Sequence, residues 1–315
     1  MSKKISSPIP QMAELPQAEI IKPEEILSLY NDGKIDLICV LGPTASGKTK
    51  YAVSLARKLN HCEILSADSR QVYKGMDIGT GKDLLEYGEI PYHLIDIVDA
   101  GEKYNIFEYQ RDFEKAYKNI RERGCIPILC GGSGLYIEAA TCGYSLPEVP
   151  PNPALRAELE KESDETLIAR LESLKPLHNS TDYDTRKRLI RALEIAIYEA
   201  ENPVKTTLCL PKNTYFIGTL VSREERVARI NRRLDARLKE GLVEEVRGLL
   251  NSVSHEDLIY YGLEYKFVTQ YLLGELSYED MRSQLATSIH RFAKRQMTWF
   301  RGMERKGIKI HWTEV

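Results

Sequence analysis

The chain has 315 residues, of which 43% are hydrophobic and 29% are charged, and its formal net charge is −2. This composition is typical of a globular protein with one large domain or two modest ones. A chain so close to neutrality has no overall basic field, so any site for a polyanion must be local. No apolar run approaches the roughly 20 residues of a membrane span, and the polar start lacks a signal-peptide core. We therefore expect a cytoplasmic protein with no membrane partner, and its six cysteines, which form no C-x-x-C pair, should be reduced.

The first chemical signal along the chain is a loop at residues 42–49 that matches G-x-x-x-x-G-K-[ST]. An apolar run precedes it, and an amphipathic helix is predicted from Lys48 to about Leu59. Such a loop directs backbone N–H groups at phosphate oxygens, while Lys48 adds a positive charge and the Thr49 hydroxyl can hold Mg²⁺. A chance match in a turn is the alternative, but the strand–loop–helix context argues against it. The predicted phosphate-binding residues are Gly42, Pro43, Thr44, Ala45, Ser46, Gly47, Lys48 and Thr49.

The second signal is Asp68, which directly follows a predicted strand at residues 62–67. In open parallel sheets, ligands bind beyond the carboxyl ends of the strands, so Asp68 should lie beside the phosphate loop. A carboxylate close to bound phosphate is repelled unless it holds Mg²⁺, caps a helix or accepts a proton. The sequence leaves these three roles open.

A third strand is predicted at residues 126–130, where an apolar run ends in Gly131-Gly132-Ser133-Gly134. Phosphate-loop ATPases usually have an aspartate for Mg²⁺ at the end of such a strand. This chain has Cys130 there, which argues against an ATP-hydrolysing protein. It favours a ligand other than ATP whose diphosphate is bound by the same phosphate loop.

Two further boundaries divide the chain. Four prolines at 147–153 end the first core part, and a charged, helix-periodic stretch continues to about residue 202. We predict helices that begin at Asn152-Pro153, after Ser163 and after Asp184. The predicted segments are an N-terminal arm and short helix at 1–35, a first core part at 36–146, a helical insertion at 147–205, and a second core part with a basic C-terminal helix at 206–315.

Basic side chains are concentrated in the insertion and near the end of the chain. Each cluster could be a solvated helix face or a local contact with a nucleic-acid backbone. Between them, a predicted strand at 215–220 is followed by Ser222, a helix cap, and by Arg223, which would lie where a diphosphate could reach it. The basic residues in question are Arg186, Lys187, Arg188 and Arg191 in the insertion, and Arg291, Lys294, Arg295 and Arg301 in the last helix.

Together these segments resemble the tRNA dimethylallyltransferase (isopentenyltransferase) family over about residues 36–312. The likeness is carried by residues 42–49, 68–80, 126–137, 188–194 and 294–299, in the family's order. The family's strand at 91–97 is also recognisable. Three segments depart from the usual pattern: Gly81-Lys82-Asp83 replaces Ala-Lys-Pro, Tyr261-Gly262-Leu263-Glu264-Tyr265-Lys266 replaces Ile/Val-Gly-Tyr-Lys/Arg, and Thr185-Arg186-Lys187 replaces Asp-Pro-Gln/Arg.

The resemblance implies a P-loop NTPase-like α/β fold, in which a parallel sheet is flanked by helices and carries a tRNA-binding helical insertion domain. It implies transfer of a dimethylallyl group from dimethylallyl diphosphate to N6 of adenine 37 in the tRNA anticodon loop, with Mg²⁺ on Thr49, and we expect a monomer. The phosphate loop and Arg223 would stabilise the leaving diphosphate, and Asp68 would take the amine proton. The implied tRNA contacts are Asp68, Ser69, Arg70, Gln71, Ser133, Arg156, Lys187, Arg188, Leu189, Ile190, Arg191, Lys294 and Arg295.

Three alternatives remain at this stage. An enzyme that prenylates free adenine nucleotides would need neither the insertion nor a basic C-terminal helix. A small-molecule kinase would use the same loop but bind ATP. An RNA-binding protein with a decayed loop would not be expected to keep Lys48, Thr49 and Asp68.

Overall fold

The computed structural model describes residues 16–143, 149–174, 185–202 and 208–315. Within these ranges, six strands form one sheet in the order β3-β2-β4-β1-β5-β6, and every neighbouring pair is parallel. The strands are β1 Leu37–Leu41, β2 Cys62–Ala67, β3 Tyr92–His93, β4 Ile126–Gly131, β5 Thr214–Leu220 and β6 Ile310–Glu314. The predicted fold class, a parallel sheet flanked by helices, is confirmed.

Twelve α-helices accompany the sheet in the described part of the chain. They are α1 Pro23–Asn31, α2 Lys48–Leu59, α3 Ile106–Glu122, α4 Gly134–Thr141, α5 Pro153–Leu159, α6 Asp164–Leu174, α7 Arg186–Glu201, α8 Arg223–Glu240, α9 Leu242–Leu249, α10 His255–Tyr261, α11 Leu263–Leu272 and α12 Tyr278–Arg305. Among the residues described, no helix is both long enough and apolar enough to cross a membrane.

The two faces of the sheet are covered by different helices, as the apolar sequence of β1 requires. Leu37, Cys39 and Leu41 belong to one buried cluster, which includes aromatic side chains of α3. Ile38 and Val40 point to the opposite face and pack with α2. The alternation follows from the two-residue period of a strand.

The third strand is shorter than the sequence predicts. Residues 91–97 were expected to form a strand, but only Tyr92–His93 pairs with β2. Leu94 and Asp96 have φ angles of 64° and 56°, in the left-handed region, so the backbone cannot continue as an extended strand.

Helices α5, α6 and α7 form a separate layer around their own apolar cluster, which includes Leu159, Leu167 and Leu193. Asp184, the predicted cap of α7, lies outside the described residues. The cap that the structure describes is Thr185, whose Oγ1 accepts a hydrogen bond from the Arg188 amide at 3.4 Å.

Helices α8 to α12 pack against the segment that follows β2. Val72, Tyr73 and Met76 of that segment are buried with apolar side chains of these helices. As a result, the second core part covers the loop that begins at Asp68.

Candidate active site

Residues that follow β1, β2 and β4 line a cavity of about 350 Å³. Because β4 lies between β1 and β2, the loops after these three strands meet at one edge of the sheet. The opposite wall comes from α8, α12 and the turn between α10 and α11. The sequence-predicted residues that line the cavity are Thr44, Lys48, Thr49, Asp68, Ser69, Arg70, Gln71, Ser133 and Arg295.

The phosphate loop has the backbone that its glycines predict. Gly47 has a φ of 83° at the start of α2, and a side chain at Gly42 would overlap the Thr219 hydroxyl of β5. The Ser46 hydroxyl, fully buried, lies 2.6 Å from that of Thr219. Contacts with the neighbouring strand therefore fix the loop before any ligand binds.

Gln296 on α12 connects this loop to the glycine turn after β4. Its Oε1 accepts a hydrogen bond from the Thr44 amide at 2.8 Å, and its Nε2 donates to the Gly132 carbonyl at 2.9 Å. One amide of the phosphate loop is thus already engaged by protein. No role for Gln296 was predicted, although it lies within a segment that carries the family resemblance.

Asp68 does not cap a helix. Its Oδ1 accepts a hydrogen bond from the Arg70 amide at 2.9 Å, and residues 69–72 form a turn and not a helix, so the helix-cap alternative is wrong. The carboxylate lines the cavity and is partly exposed. It is therefore available to accept a proton or to bind a metal.

Two predicted RNA contacts contribute to the architecture of the cavity instead of standing free at its surface. The Ser133 hydroxyl accepts from the Ser69 amide at 3.1 Å. The buried Gln71 accepts from the Ser66 hydroxyl at 3.1 Å and donates to the Gly81 carbonyl at 3.2 Å. The Ser133 bond joins the loops after β2 and β4, and the Gln71 bonds fix the segment that follows β2.

Two arginines of α8 line the cavity, and the predicted one, Arg223, is not among them. Arg223 is exposed at the first residue of α8, and its contact with a diphosphate stays a prediction. Arg233 and Arg237, four residues apart on the same helix face, line the cavity instead. In the sequence both resemble ordinary surface arginines, because their cavity-facing positions depend on how α8 crosses the loop at 79–81.

The two arginines contact that loop directly. Arg233 Nη2 donates to Asp83 at 2.6 Å and to the Gly81 carbonyl at 3.3 Å. Arg237 Nη1 donates to the Gly79 carbonyl at 3.2 Å and lies 3.4 Å from Glu264 Oε1.

The electrostatics of the cavity favour an anionic ligand. Burial lowers the pKa of the Lys48 ammonium, and the Arg233 and Arg237 guanidinium groups act in the same direction. A bound anion would offset both effects. Burial raises the pKa of the Cys130 thiol to about 11, so this side chain is a neutral part of the wall.

The oxygen donors that face the cavity fit a magnesium ion. Thr49 and Asp68 both line it, and Mg²⁺ usually takes one or two protein ligands together with phosphate oxygens and water. In the described part of the chain, no group of three or more histidine, cysteine or carboxylate side chains could hold a metal by itself. A metal here would therefore depend on the phosphates of the ligand.

The predicted RNA-contacting residues of the insertion fall into two groups. Lys187 and Arg188 are exposed, whereas Leu189 and Ile190 are buried in the helical cluster. The side chains of these two apolar residues form part of the core of the insertion, and their contact with RNA stays a prediction.

Arg156 and Arg191 share one buried carboxylate. Arg156 Nη2 lies 2.7 Å from Glu194, Arg191 also pairs with Glu194, and Arg191 Nη2 donates to the Val149 carbonyl at 2.8 Å. Both arginines keep more than a third of their side-chain surface exposed, so an RNA contact and a structural role are compatible.

Near the end of the chain, Arg295 is exposed and lines the cavity. Lys294 is exposed without lining it.

Comparison with known proteins identifies the family. The family model described as IPP transferase matches residues 71–303. A tRNA dimethylallyltransferase 2 of Bacteroides fragilis is 57% identical over 285 residues, which cover 89% of this chain and 93% of that protein. A tRNA dimethylallyltransferase 2 of Porphyromonas gingivalis is 58% identical over 284 residues, which cover 89% and 94%.

Solved structures agree with the sequence relatives. The crystal structure of a tRNA isopentenylpyrophosphate transferase from Bacillus halodurans aligns with a TM-score of 0.63 at 35% identity and covers 89% of each chain. A eukaryotic dimethylallyltransferase acting on tRNA aligns with a TM-score of 0.68 at 26% identity, over 84% of this chain and 69% of that one. This chain belongs to the tRNA dimethylallyltransferase family.

Proposed function

We propose that this protein transfers a dimethylallyl group from dimethylallyl diphosphate to N6 of adenine 37 in the anticodon loop of tRNA. The observation that carries the proposal is the shared cavity, in which the phosphate loop, two arginines and Asp68 face one another. The names of the sequence relatives support the same reaction. A tRNA acceptor also favours the cytoplasmic location expected from the sequence.

The diphosphate half of the reaction needs positive charge and fixed N–H donors. As the bond between the allylic carbon and oxygen breaks, the electron pair remains on the diphosphate, which becomes more negative. Lys48, Arg233 and the loop amides would stabilise that charge. A Mg²⁺ ion held by Thr49, and by the phosphates themselves, would supply further positive charge.

The adenine half of the reaction needs a proton acceptor. The N6 lone pair is delocalised into the ring, so the amine is a weak nucleophile until its proton is removed. As the new bond between N6 and the allylic carbon forms, Asp68 would accept that proton. Ser69 and Ser133, which are joined by hydrogen bonds beside Asp68, would position the base.

The acceptor must enter the cavity as an unstacked base, which is how proteins commonly read single-stranded RNA loops. Arg70 and Arg295 line the cavity, and the Arg70 guanidinium lies 5.5 Å from the centre of the Tyr261 ring. Tyr260 lies beside this pair and is 68% exposed, so an aromatic surface is available for a neighbouring base.

The test is incubation of the protein with labelled dimethylallyl diphosphate and either unmodified tRNA or AMP, followed by digestion and nucleoside analysis. We expect labelled N6-isopentenyladenosine from tRNA only. Label in AMP would favour the free-nucleotide alternative. Phosphate transfer from ATP to a small molecule, without prenylation, would favour the kinase alternative.

A further inference from the structure

Tyr87 lies in the wall of the cavity, and the function proposed above gives it no role. It follows a short 3₁₀ turn at Leu84–Glu86, and it lines the cavity although the residue is only 2% exposed. Its backbone is fully engaged, since the Tyr87 amide donates to the Leu84 carbonyl at 3.2 Å and the Tyr87 carbonyl accepts from the Ile90 amide at 3.0 Å. Its hydroxyl, by contrast, makes no hydrogen bond with any residue that the structure describes.

An aromatic ring at this position could pack equally well without its hydroxyl. The ring belongs to the buried cluster between α2 and the sheet, and its centroid lies 4.9 Å from that of the Tyr92 ring. A buried hydroxyl without a partner costs free energy, and phenylalanine would avoid that cost. An unpaired polar group in the wall of a ligand cavity therefore indicates a partner that arrives with the ligand.

The surroundings of the Tyr87 hydroxyl are those of the candidate metal site. Cys130 belongs to the same buried cluster. Burial raises the pKa of the Tyr87 phenol, and Cys130 and Asp68 act in the same direction. A hydrogen bond with Thr49 acts in turn on the Cys130 thiol. Tyr87 therefore lies at the end of the cavity that holds Thr49 and Asp68, the two candidate ligands of Mg²⁺.

The end of β4 supplies no metal ligand of its own. Phosphate-loop ATPases have an aspartate for Mg²⁺ at this place, whereas Cys130 is a neutral thiol. A protein-bound Mg²⁺ usually keeps several of its water molecules, and groups that hydrogen-bond to the ligands of a metal orient them. The oxygen of a neutral phenol can accept such a hydrogen bond.

We propose that the Tyr87 hydroxyl accepts a hydrogen bond from a water molecule of a Mg²⁺–diphosphate complex and thereby positions the metal. Tyr87 is a positioning residue, because it acts through the water shell of the metal and contacts neither the phosphates nor the metal. The inference rests on the proposed function, since it takes a diphosphate and Mg²⁺ as the ligands of the phosphate loop. It adds a group that the loop, the arginines and Asp68 do not provide.

The variant Tyr87→Phe removes the hydroxyl and keeps the ring. Its thermal unfolding midpoint should stay equal or rise, because the hydroxyl has no partner within the described chain. Its affinity for inorganic pyrophosphate is measured by calorimetry, once in EDTA and once in excess Mg²⁺. In EDTA the affinity should stay within about twofold of wild type, because the hydroxyl does not contact the phosphates. In Mg²⁺ it should fall about 10-fold, at the lower end of the range for groups that orient the ligands of a metal.

Tyr92→Phe is the matched control, since it removes the hydroxyl from the other ring of the same pair. Tyr92 is 39% exposed and does not line the cavity, so both affinities should stay within about twofold of wild type. Wild-type affinity of Tyr87→Phe in Mg²⁺ would overturn the proposal. An equal loss in EDTA and in Mg²⁺ would also overturn it, because the hydroxyl would then contact the phosphates directly. A lower unfolding midpoint with an unchanged effect of Mg²⁺ would show that the hydroxyl serves only the fold.

The wild type separates failure of this inference from failure of the proposed function. If the wild type does not bind pyrophosphate, or binds it no better with Mg²⁺ than with EDTA, the diphosphate site or the metal of the proposed function fails as well. If the wild type shows the effect of Mg²⁺ and Tyr87→Phe keeps it, the inference about Tyr87 fails alone.

Discussion

Replacing Asp68 with asparagine separates its proposed chemical role from its structural one. Asparagine keeps an Oδ1 acceptor for the Arg70 amide, which Asp68 binds at 2.9 Å, so the turn should remain intact. The variant loses the ability to accept a proton. We expect the single-turnover rate to fall by about 10² to 10⁴, the range for a missing general base, which corresponds to about 3 to 5 kcal/mol in the barrier.

The assay mixes excess enzyme with tRNA and labelled dimethylallyl diphosphate and follows formation of prenylated tRNA. Binding of tRNA, measured separately, should stay within a few-fold of wild type. Asp68→Ala is the matched comparison, because it removes the base and also the acceptor for the turn. It should therefore lose tRNA affinity in addition to rate. A rate for Asp68→Asn close to that of wild type would refute the assignment of Asp68 as the base.

Three further predictions concern charge. Arg233→Ala should weaken pyrophosphate binding about 10- to 150-fold, the range for removing a hydrogen bond to a charged group. Arg223 is exposed and does not line the cavity, so Arg223→Ala should leave the affinity within about twofold. Calorimetry of both variants shows which arginine binds the diphosphate. Replacing the exposed Lys187 and Arg188 with alanine should flatten the salt dependence of tRNA binding. The log–log slope of affinity against salt should decrease in magnitude by about 1 for each phosphate that the variant no longer neutralises. Unchanged slopes in a salt titration would mean that the insertion does not bind RNA. Burial would raise the pKa of Glu194, but hydrogen bonds from two arginines and a backbone amide lower it to about 2. The contribution of Glu194 to stability is therefore present above about pH 4.5 and is lost as the pH falls towards 2. Glu194→Gln should therefore lower the thermal unfolding midpoint at neutral pH and show a smaller further loss in acid than wild type, and parallel acid profiles would contradict this account.

Local signals predicted the parts of the site that are built from consecutive residues. The phosphate loop, α2 and the position of Asp68 follow from a glycine spacing, an apolar run and the rule that ligands bind at the carboxyl ends of strands. The same reasoning did not find Arg233, because the rule gives the start of α8 and not the direction in which the helix then runs. A strand end marks the sheet edge, whereas the cavity wall depends on how α8 packs.

Other parts of the site depend on contacts between distant segments. Glu245 on α9 accepts hydrogen bonds from the amides of Asp77, Ile78 and Gly79, at 2.9, 2.6 and 3.1 Å, and from the Tyr265 hydroxyl at 2.7 Å. This carboxylate fixes the loop that Arg233 and Arg237 contact, yet nothing near it in sequence predicts that role.

The last long helix shows how one element can serve both substrates. It was predicted only as a basic surface for RNA, but adjacent residues on a helix point about 100° apart, so neighbours can have different partners. Arg295 is exposed and lines the cavity, whereas Gln296 is buried and holds both the Thr44 amide and the Gly132 carbonyl. A shift of α12 that moves the Arg295 guanidinium must also move an acceptor that fixes the phosphate loop. The proposed RNA contact and the geometry of the diphosphate cradle therefore depend on the packing of the same helix turn.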